Sequence, residues 1–557
     1  MRLFSALLLL FTAGALVSCG QKIPVDALVY NGKIFTARGE QEFTEAMAIK
    51  DGIILAIGSK EALLDKYLPA DTGGIDLQGR LALPGFHDAH LHFWNGAKLR
   101  RQIDLRGLTS PEAVLEKIQQ AANQIPPGEW IIGRGWDHEL WKSKQLPNRY
   151  LLDRISTEHL IYLKRVDGHA AWVNTAVMRL IRYDSKTPDP PGGKLMRYPG
   201  STEPTGVLFD SAFDLVDNII PKLTLTQKYE VVKEALSYAN SLGITSITDN
   251  SPADLHAVYA ELFKNGQLSL RVNFWIDYVD HLDSLRRHFS KSEAPPEFLK
   301  ANLVKLYADG SLGSRTAYLQ APYNDDAANT GLPQYSFLDL FDRVKKSDEA
   351  GFQLGIHGIG DAGVGLILDV FQALQQQQPR ENRRWRVEHA QMLDSLDFAR
   401  FHRLGVIASM QPSHCITDMH WAERRISKRA RFSYAWNSFL QNDVPLAFGT
   451  DWPVEPLNPM VGLYAAITRQ DTLGFPDGGW YPGERISLGN AIIAYTYGSA
   501  YAAKNESWCG TLQPGKAADF IILDRDIFSA APEEVLHAKV LETYVDGKRV
   551  YKREEGF

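Results

Sequence analysis

Cysteine is scarce in this chain, net charge is small, and long apolar runs are missing from all but one place. Three cysteines in 557 residues exclude a disulfide framework. Cys19 lies beside the N-terminal apolar run, which leaves Cys415 and Cys509 to the folded body, where buried free thiols are expected and a single bridge between the two is the alternative. With 60 Lys and Arg against 66 Asp and Glu, the formal charge is -6. There is no basic field for a polyanion, and nucleic acid is excluded as an expected partner. Internal repeats and low-complexity linkers are also missing, apart from Gln375 to Gln378.

The one long apolar run, Leu3 to Val17, follows Arg2 and stops at Leu16-Val17-Ser18-Cys19. It is too short for a comfortable membrane span and has the layout of a signal peptide over residues 1–18. The Leu-Val-Ser-Cys ending resembles a bacterial lipobox, in which Cys19 is lipidated and becomes the mature N-terminus. The alternative is cleavage by an ordinary signal peptidase, with Cys19 incidental. Gln21 brings no acidic residue to the sorting position, which favours the outer membrane. The expectation is an exported protein, lipid-anchored to the bacterial outer membrane or otherwise periplasmic, whose membrane contact is through acyl chains alone.

From Ala27 to Ile57, short β-type runs are broken by the turn dipeptides Asn31-Gly32 and Asp51-Gly52. The same texture returns at Gly510 to Leu523 and Val540 to Tyr551, so residues 22–80 and 475–557 are expected to form one composite sheet domain. Between them, apolar runs of strand length alternate with amphipathic helical segments, the pattern of an α/β fold with a parallel sheet. Strands are expected at Leu81 to His92, Ile244 to Asp249, Leu268 to Ile276, Val304 to Asp309, Phe352 to His357, Trp385 to His389, Val406 to Gln411 and Pro445 to Asp451. Eight is the number a closed (β/α)8 barrel requires, here over residues 81–474. Helical periodicity at Leu225 to Leu242 and Phe337 to Ala350 stops at Gly243 and Gly351. Residues 94 to about 224 are too many for a loop and are expected to be a subdomain inserted after the first barrel strand.

The first barrel run ends in His90 and His92. Alternate strand residues project from one face, so two imidazoles point at one spot and make a half-site for zinc or a similar divalent ion. Sites in such barrels lie at the C-terminal strand ends, which here hold His90, His92, Lys305, Asp309, His357, His389 and Asp451. Any one of these has a dull use, capping a helix or satisfying a backbone group, but that use has to hold at several strands at once. A metal with an open position lowers the pKa of bound water to about 7, giving hydroxide at neutral pH. Asp451 is the candidate general base and later acid, with metal contact as a second role. Lys305 alternates against Val304 and Leu306 and has two open readings: a carbamate-forming amine in the barrel interior, able to bridge two metals, or a lysine paired with Asp309 or another carboxylate. Trp94, Trp130, Trp136, Trp141 and Trp172 would favour flat or greasy ligands at a pocket mouth, although indoles are more often plain core.

The segments PGFHDAHLH, KLYADGSLGSRTA, GIHGIGD, RVEHAQ, AFGTDWPV and GTLQPGKAADF, in this order, resemble the amidohydrolase superfamily. More narrowly they resemble amidohydrolase family 3, which includes N-substituted formamide deformylases. The likeness covers nearly the whole mature chain and extends to GRGWDHELW and RVDGH in the insertion. It implies a metal-bearing distorted TIM barrel, a composite β-sandwich from both termini, and hydrolysis of carbon-nitrogen bonds other than peptides. By position His90, His92, His357, His389 and Asp451 match the family's metal and base residues, and Lys305 matches its carbamate lysine. His169 matches a polar group that reaches the site from the insertion; the alternative is a histidine satisfying its own loop.

The expected function is therefore metal-dependent cleavage of an amide-type bond in a small-molecule substrate by metal-bound hydroxide. One or two divalent ions are expected, with zinc foremost and a carboxylated Lys305 if there are two. A deaminase of a heterocycle is a second reading, but such enzymes place a glutamate three residues after the fifth-strand histidine, where this chain has Gly360 followed by Asp361. A tethered ligand-binding barrel is a third, although capture needs no general base. A homo-oligomer is compatible with all three.

Overall fold

A computed structural model describes residues 22–554 apart from Thr72 and Asp167. The expected signal peptide and Cys19 lie outside the described residues. Among the described residues no helix is long and apolar enough to cross a membrane.

Eight strands make one parallel sheet: β1 (Phe86–Leu91), β2 (Ile244–Asn250), β3 (Arg271–Asp277), β4 (Leu299–Tyr307), β5 (Gln353–Gly358), β6 (Arg386–His389), β7 (Ile407–Met410) and β8 (Leu446–Phe448). Each pairs in parallel with the next. The two ends of the sheet meet beyond β8, where Asp451 N–H donates to the His90 carbonyl at 2.7 Å and His92 N–H to the Trp452 carbonyl at 2.8 Å. Gly449 allows that approach, since a Cβ there would stand 2.6 Å from His90 N. The buried Asp88 carboxylate fastens the seam by accepting from Thr450 Oγ1 at 2.5 Å and Thr450 N–H at 3.1 Å. The helices Leu225–Ser241 and Phe337–Glu349 cover the outside and begin at side-chain caps, Thr224 in a capping box with Gln227 and Ser336 on Asp339 N–H.

The run Leu81 to His92, expected as one strand, is two. Leu81–Pro84 pairs with Phe520–Leu523 and Lys33–Phe35 in a six-stranded sheet, and the barrel starts only at Phe86. The break falls at Pro84-Gly85, where proline lacks a donor and a Cβ on Gly85 would stand 2.2 Å from Thr245 Cγ2. His92 consequently lies past β1, immediately before the helix Phe93–Arg100. A second sheet, Ile53–Gly58, Ala46–Lys50, Ala27–Tyr30 and Gly74–Asp76, packs on the first through Val29, Ile34, Met47, Leu77, Phe520 and Ile522. Residues 475–557 do not act as one sheet unit: Ser499 Oγ donates to the Phe448 carbonyl at 3.0 Å, and Ala502 packs on Ala89, Ile407 and Ala447, so this helical stretch belongs with the barrel. Arg271 at the start of β3 joins barrel to sandwich, its guanidinium bonding Asp519 at 2.6 and 3.0 Å and also meeting Asp546.

The insertion carries its own six-stranded sheet, ordered Ile103–Asp104, Trp130–Trp136, Leu160–Arg165, Ala170–Val173, Pro204–Asp210, Gly193–Arg197. Trp136, Trp141 and Trp172 are buried against one another with ring centroids 5.9 to 6.5 Å apart, so these indoles are core and not a ligand surface. Cys415 and Cys509 are buried free thiols.

Candidate metal centre

The C-terminal strand ends and the segments just past them bring five imidazoles, those of His90, His92, His357, His389 and His414, and the Asp451 carboxylate to a single place. His90, near the end of β1, is 1% exposed, and its Nδ1 stands 3.0 Å from Glu388 Oε2 in a charge contact that favours the proton on Nδ1. His92 Nδ1 is 3.0 Å from the Asn250 carbonyl, which can only accept. His389 Nδ1 is 2.8 Å from Gln411 Oε1. These partners assign the proton to Nδ1 in all three rings and leave each Nε2 with its lone pair, the form that binds a metal. Asp451 sits among them, with Oδ1 3.4 Å from His92 Nε2 and 3.6 Å from His90 Nε2, and Oδ2 3.7 Å from His414 Nε2. Two overlapping donor sets result, His90–His92–Asp451 and His389–His414–Asp451, in each of which the ligand atoms lie within 4.8 Å of one another.

The chemistry of these donors fits a divalent cation. Asp451 Oδ1 and His414 Nε2 are buried without a hydrogen-bond partner, an arrangement that costs free energy unless something positive lies between them. Burial alone would raise the Asp451 carboxyl, but His92, His90, His389 and His414 outweigh it and hold the group well below the ordinary range. Burial, followed by the charge on Lys305, pushes His90 down to about 4, and burial holds His389 well below its usual value, so both rings are neutral at pH 7. His389 and Asp451 have φ of +73° and +57°, left-handed backbone that costs a non-glycine residue about 1–3 kcal/mol and that concentrates at functional sites.

Lys305 is 1% exposed inside the barrel, with Nζ 3.2 Å from His90 Nε2, and burial brings its pKa down to about 8. Asp309 is not its partner: that carboxylate accepts the N–H groups of Tyr318, Ile359 and Gly360 at 2.7 to 3.0 Å. His357 lines the cluster, its ring centroid 4.6 Å from that of His389, but its Nε2 is 3.1 Å from the Gly310 carbonyl and it is outside both donor sets. His169 stands apart. Its Nδ1 pairs with Asp210 of the insertion at 2.8 Å, its side chain is three-quarters exposed, and it belongs to neither donor set.

Three residues of the site escaped the sequence reading. His414 lies four residues beyond β7 in Gln411-Pro412-Ser413-His414, just past where that strand was taken to end. Gln411, which orients His389, is the last residue of the same expected strand. Glu388 precedes His389, and its signal was the pair Arg386 and Glu388, two charges at alternate positions of a fully buried strand.

Residues 73–551 match the model of the amidohydrolase family. The chain is 34% identical over 542 residues to Protein LONG AFTER FAR-RED 3 of Arabidopsis thaliana, covering 95% of this chain and 92% of that protein. It is 25% identical over 549 residues to N-substituted formamide deformylase of Arthrobacter pascens, covering 95% and 98%. Among solved structures, an uncharacterized metal-dependent hydrolase from Pyrococcus furiosus superposes with a TM-score of 0.74 at 27% identity, covering 90% of this chain and 99% of that one.

Proposed function

Because the chain belongs to the amidohydrolase family, matching it over residues 73–551, we propose that this metal-dependent hydrolase opens a carbon-nitrogen bond of a small amide-type, non-peptide substrate. The observation that carries the reading is the ionised Asp451 carboxylate between two sets of imidazoles, with one oxygen unpaired. His90, His92, His389 and His414 with Asp451 are the residues that would hold a divalent cation, and nitrogen-rich donors with one carboxylate suit zinc. When bound, such an ion supplies Lewis acidity and a water that ionises near neutrality.

The chain's own part is proton handling. Asp451 is the base that takes a proton from water at the cluster and later returns it to the departing nitrogen. Glu388 and Gln411 keep the His90 and His389 rings turned toward the cluster. The relative named as an N-substituted formamide deformylase supports substituted formamides as the first substrates to try. Deamination is disfavoured by Asp361, the acid nearest the position a deaminase glutamate would take. Its Oδ1 accepts from Gln320 N–H at 2.9 Å and Ala362 N–H at 3.0 Å, a role in holding a helix start.

Asp451→Asn, tested against N-substituted formamides with bound metal quantified in the same samples, should lower kcat by about 10²–10⁴-fold. Wild-type turnover in a metal-loaded variant would refute the assignment. Export with an acyl anchor at Cys19, and a carbamate on Lys305, are further parts of this proposal.

A further inference from the structure

We infer that the outer layer of the terminal sandwich, built from the helix Lys60–Lys66 and the strands Ile23–Val25 and Tyr67–Pro69, is the face by which this protein lies against a lipid bilayer, with the barrel mouth turned to the aqueous side. The inference rests on the acyl anchor at Cys19 proposed above and is independent of the hydrolytic reading. Cys19 precedes Lys22 by three residues, and three residues span at most roughly 10–11 Å. Acyl chains on Cys19 therefore keep Lys22 close to the membrane. The Lys22 ammonium donates to the Leu64 carbonyl at 2.6 Å, and Ile23–Val25 pairs in parallel with Tyr67–Pro69, so the chain enters the fold against this layer.

The outward side of the layer suits that contact. Ile23 is 40% exposed and Leu68 56%, and Pro24, the register partner of Leu68, is exposed beside them. Val25, Leu63 and Tyr67 turn the other way and are buried. Lys22, Lys60 and Lys66 are balanced by Glu61 and Asp65 on the same layer, so apolar side chains and acyl chains, more than charge, make the contact. The packing order sets the orientation. In the second sheet, Leu28 and Ala48 face the outer layer, whereas Val29 and Met47 face Ile34 and Phe520 of the six-stranded sheet. The opposite face of that sheet, with Phe35, Leu83 and Ile521, packs on the barrel core. Two sheets packed about 10 Å apart thus lie between the outer layer and the barrel. The sandwich meets the barrel at the N-terminal strand ends: Gly85, before β1, donates to the Asp519 carbonyl, Arg271 starts β3, and a Cβ on Gly243, before β2, would stand 3.0 Å from Ile521 Cδ1. His90, His92 and Asp451 lie at the other ends. A substrate reaches them from water, which selects soluble small molecules over lipid-borne ones.

The test is quenching by brominated acyl chains, on protein acylated in a bacterial host and reconstituted in phosphatidylcholine vesicles. A thiol-reactive fluorophore is placed through Leu68→Cys, Ile23→Cys or Val454→Cys, the last lying three residues past Asp451 and 66% exposed in the native chain. Unsubstituted protein, whose Cys415 and Cys509 are buried, sets the background labelling. Bromolipid should quench the dye several-fold more at Leu68 and Ile23 than at Val454. Equal quenching at the three positions, or more at Val454, overturns the inference. Ile23→Cys decides the matter if Leu68→Cys fails to fold. Mass analysis of the N-terminal peptide of the same samples separates the two failures: a chain without an acyl group sinks the anchor and this orientation together, whereas an acylated chain quenched at Val454 sinks the orientation alone.

Discussion

Glu388→Gln is the substitution that most directly links stability to the metal centre. Glu388 and Arg386 are fully buried, and the pair is bidentate, with Arg386 Nε 2.8 Å from Oε1 and Nη2 3.0 Å from Oε2. Oε2 also lies 3.0 Å from His90 Nδ1. A glutamine amide has one accepting oxygen and would turn its NH2 group toward Arg386 or His90, leaving a buried guanidinium short of an acceptor. Two routes give the same size of effect. Breaking a buried ion pair from one side costs roughly 3–5 kcal/mol. Burial alone would raise the Glu388 carboxyl, yet Arg386 and His90 bring it from 4.5 to about 2, which corresponds to about 3 kcal/mol. The variant should therefore lose about 3 kcal/mol in urea unfolding of the metal-free protein followed by tryptophan fluorescence. Because the contact that orients His90 is gone, metal affinity measured against a chromophoric chelator should fall about 10–100-fold. A stability change under about 1 kcal/mol together with unchanged metal affinity would show that the pair neither holds the barrel nor aims His90.

Further outcomes are expected at Lys305, His256 and Cys19. Incubation with ¹³C-bicarbonate and zinc should produce a carbamate carbon signal that is missing from Lys305→Ala, and its absence from wild type would leave Lys305 an ordinary buried amine. His256 packs on Phe289 and Phe274 at ring distances of 4.5 and 5.8 Å, and burial pushes its pKa down to about 4. Since the unfolded imidazole titrates near 6.5, the unfolded chain binds more protons between pH 6.5 and 4. This stabilisation is whole above pH 6.5 and is lost as the pH falls through 4. His256→Phe should lose less stability than wild type across that window, by up to about 3 kcal/mol, and matching acid limbs would contradict this. Cys19→Ala should abolish incorporation of labelled fatty acid in a bacterial host, and equal labelling of the variant would place any acyl chain elsewhere.

The barrel was legible because its strands are apolar runs of the right length, and the eight expected runs all overlap observed strands from Phe86–Leu91 to Leu446–Phe448. His90, His92, His389 and Asp451 were legible because strand ends are where such barrels place chemistry. Boundaries set by tertiary contact were not. Within Leu81 to His92 only the Pro84-Gly85 pair hints at the break, and the close approach that requires glycine there is to Thr245, some 160 residues away. His414 was missed because it is carried by a loop and short helix after β7, where no periodicity marks which side chain turns inward. His169 was placed by motif alone, and motif says nothing about its pairing with Asp210.

The split at Gly85 also explains what the terminal sheets do for a site they do not touch. Leu81–Pro84 is held in the sandwich by Phe520–Leu523, and one residue later the same backbone becomes β1, which carries His90. Gly85 N–H donates to the Asp519 carbonyl at 3.0 Å, while the Asp519 carboxylate holds Arg271 at the start of β3. A single sandwich residue thus fixes the lower ends of two barrel strands, one of them beginning four residues before the His90 imidazole of the cluster. Side chains alternate along a strand, so a one-residue slip of β1 would turn His90 out of the interior and put Ala89 or Leu91 in its place. The seam with Gly449 and Thr450 resists that slip at the upper end, and the sandwich resists it at the lower. With both ends pinned, β1 has one register available, and that register brings His90 and His92 to Asp451.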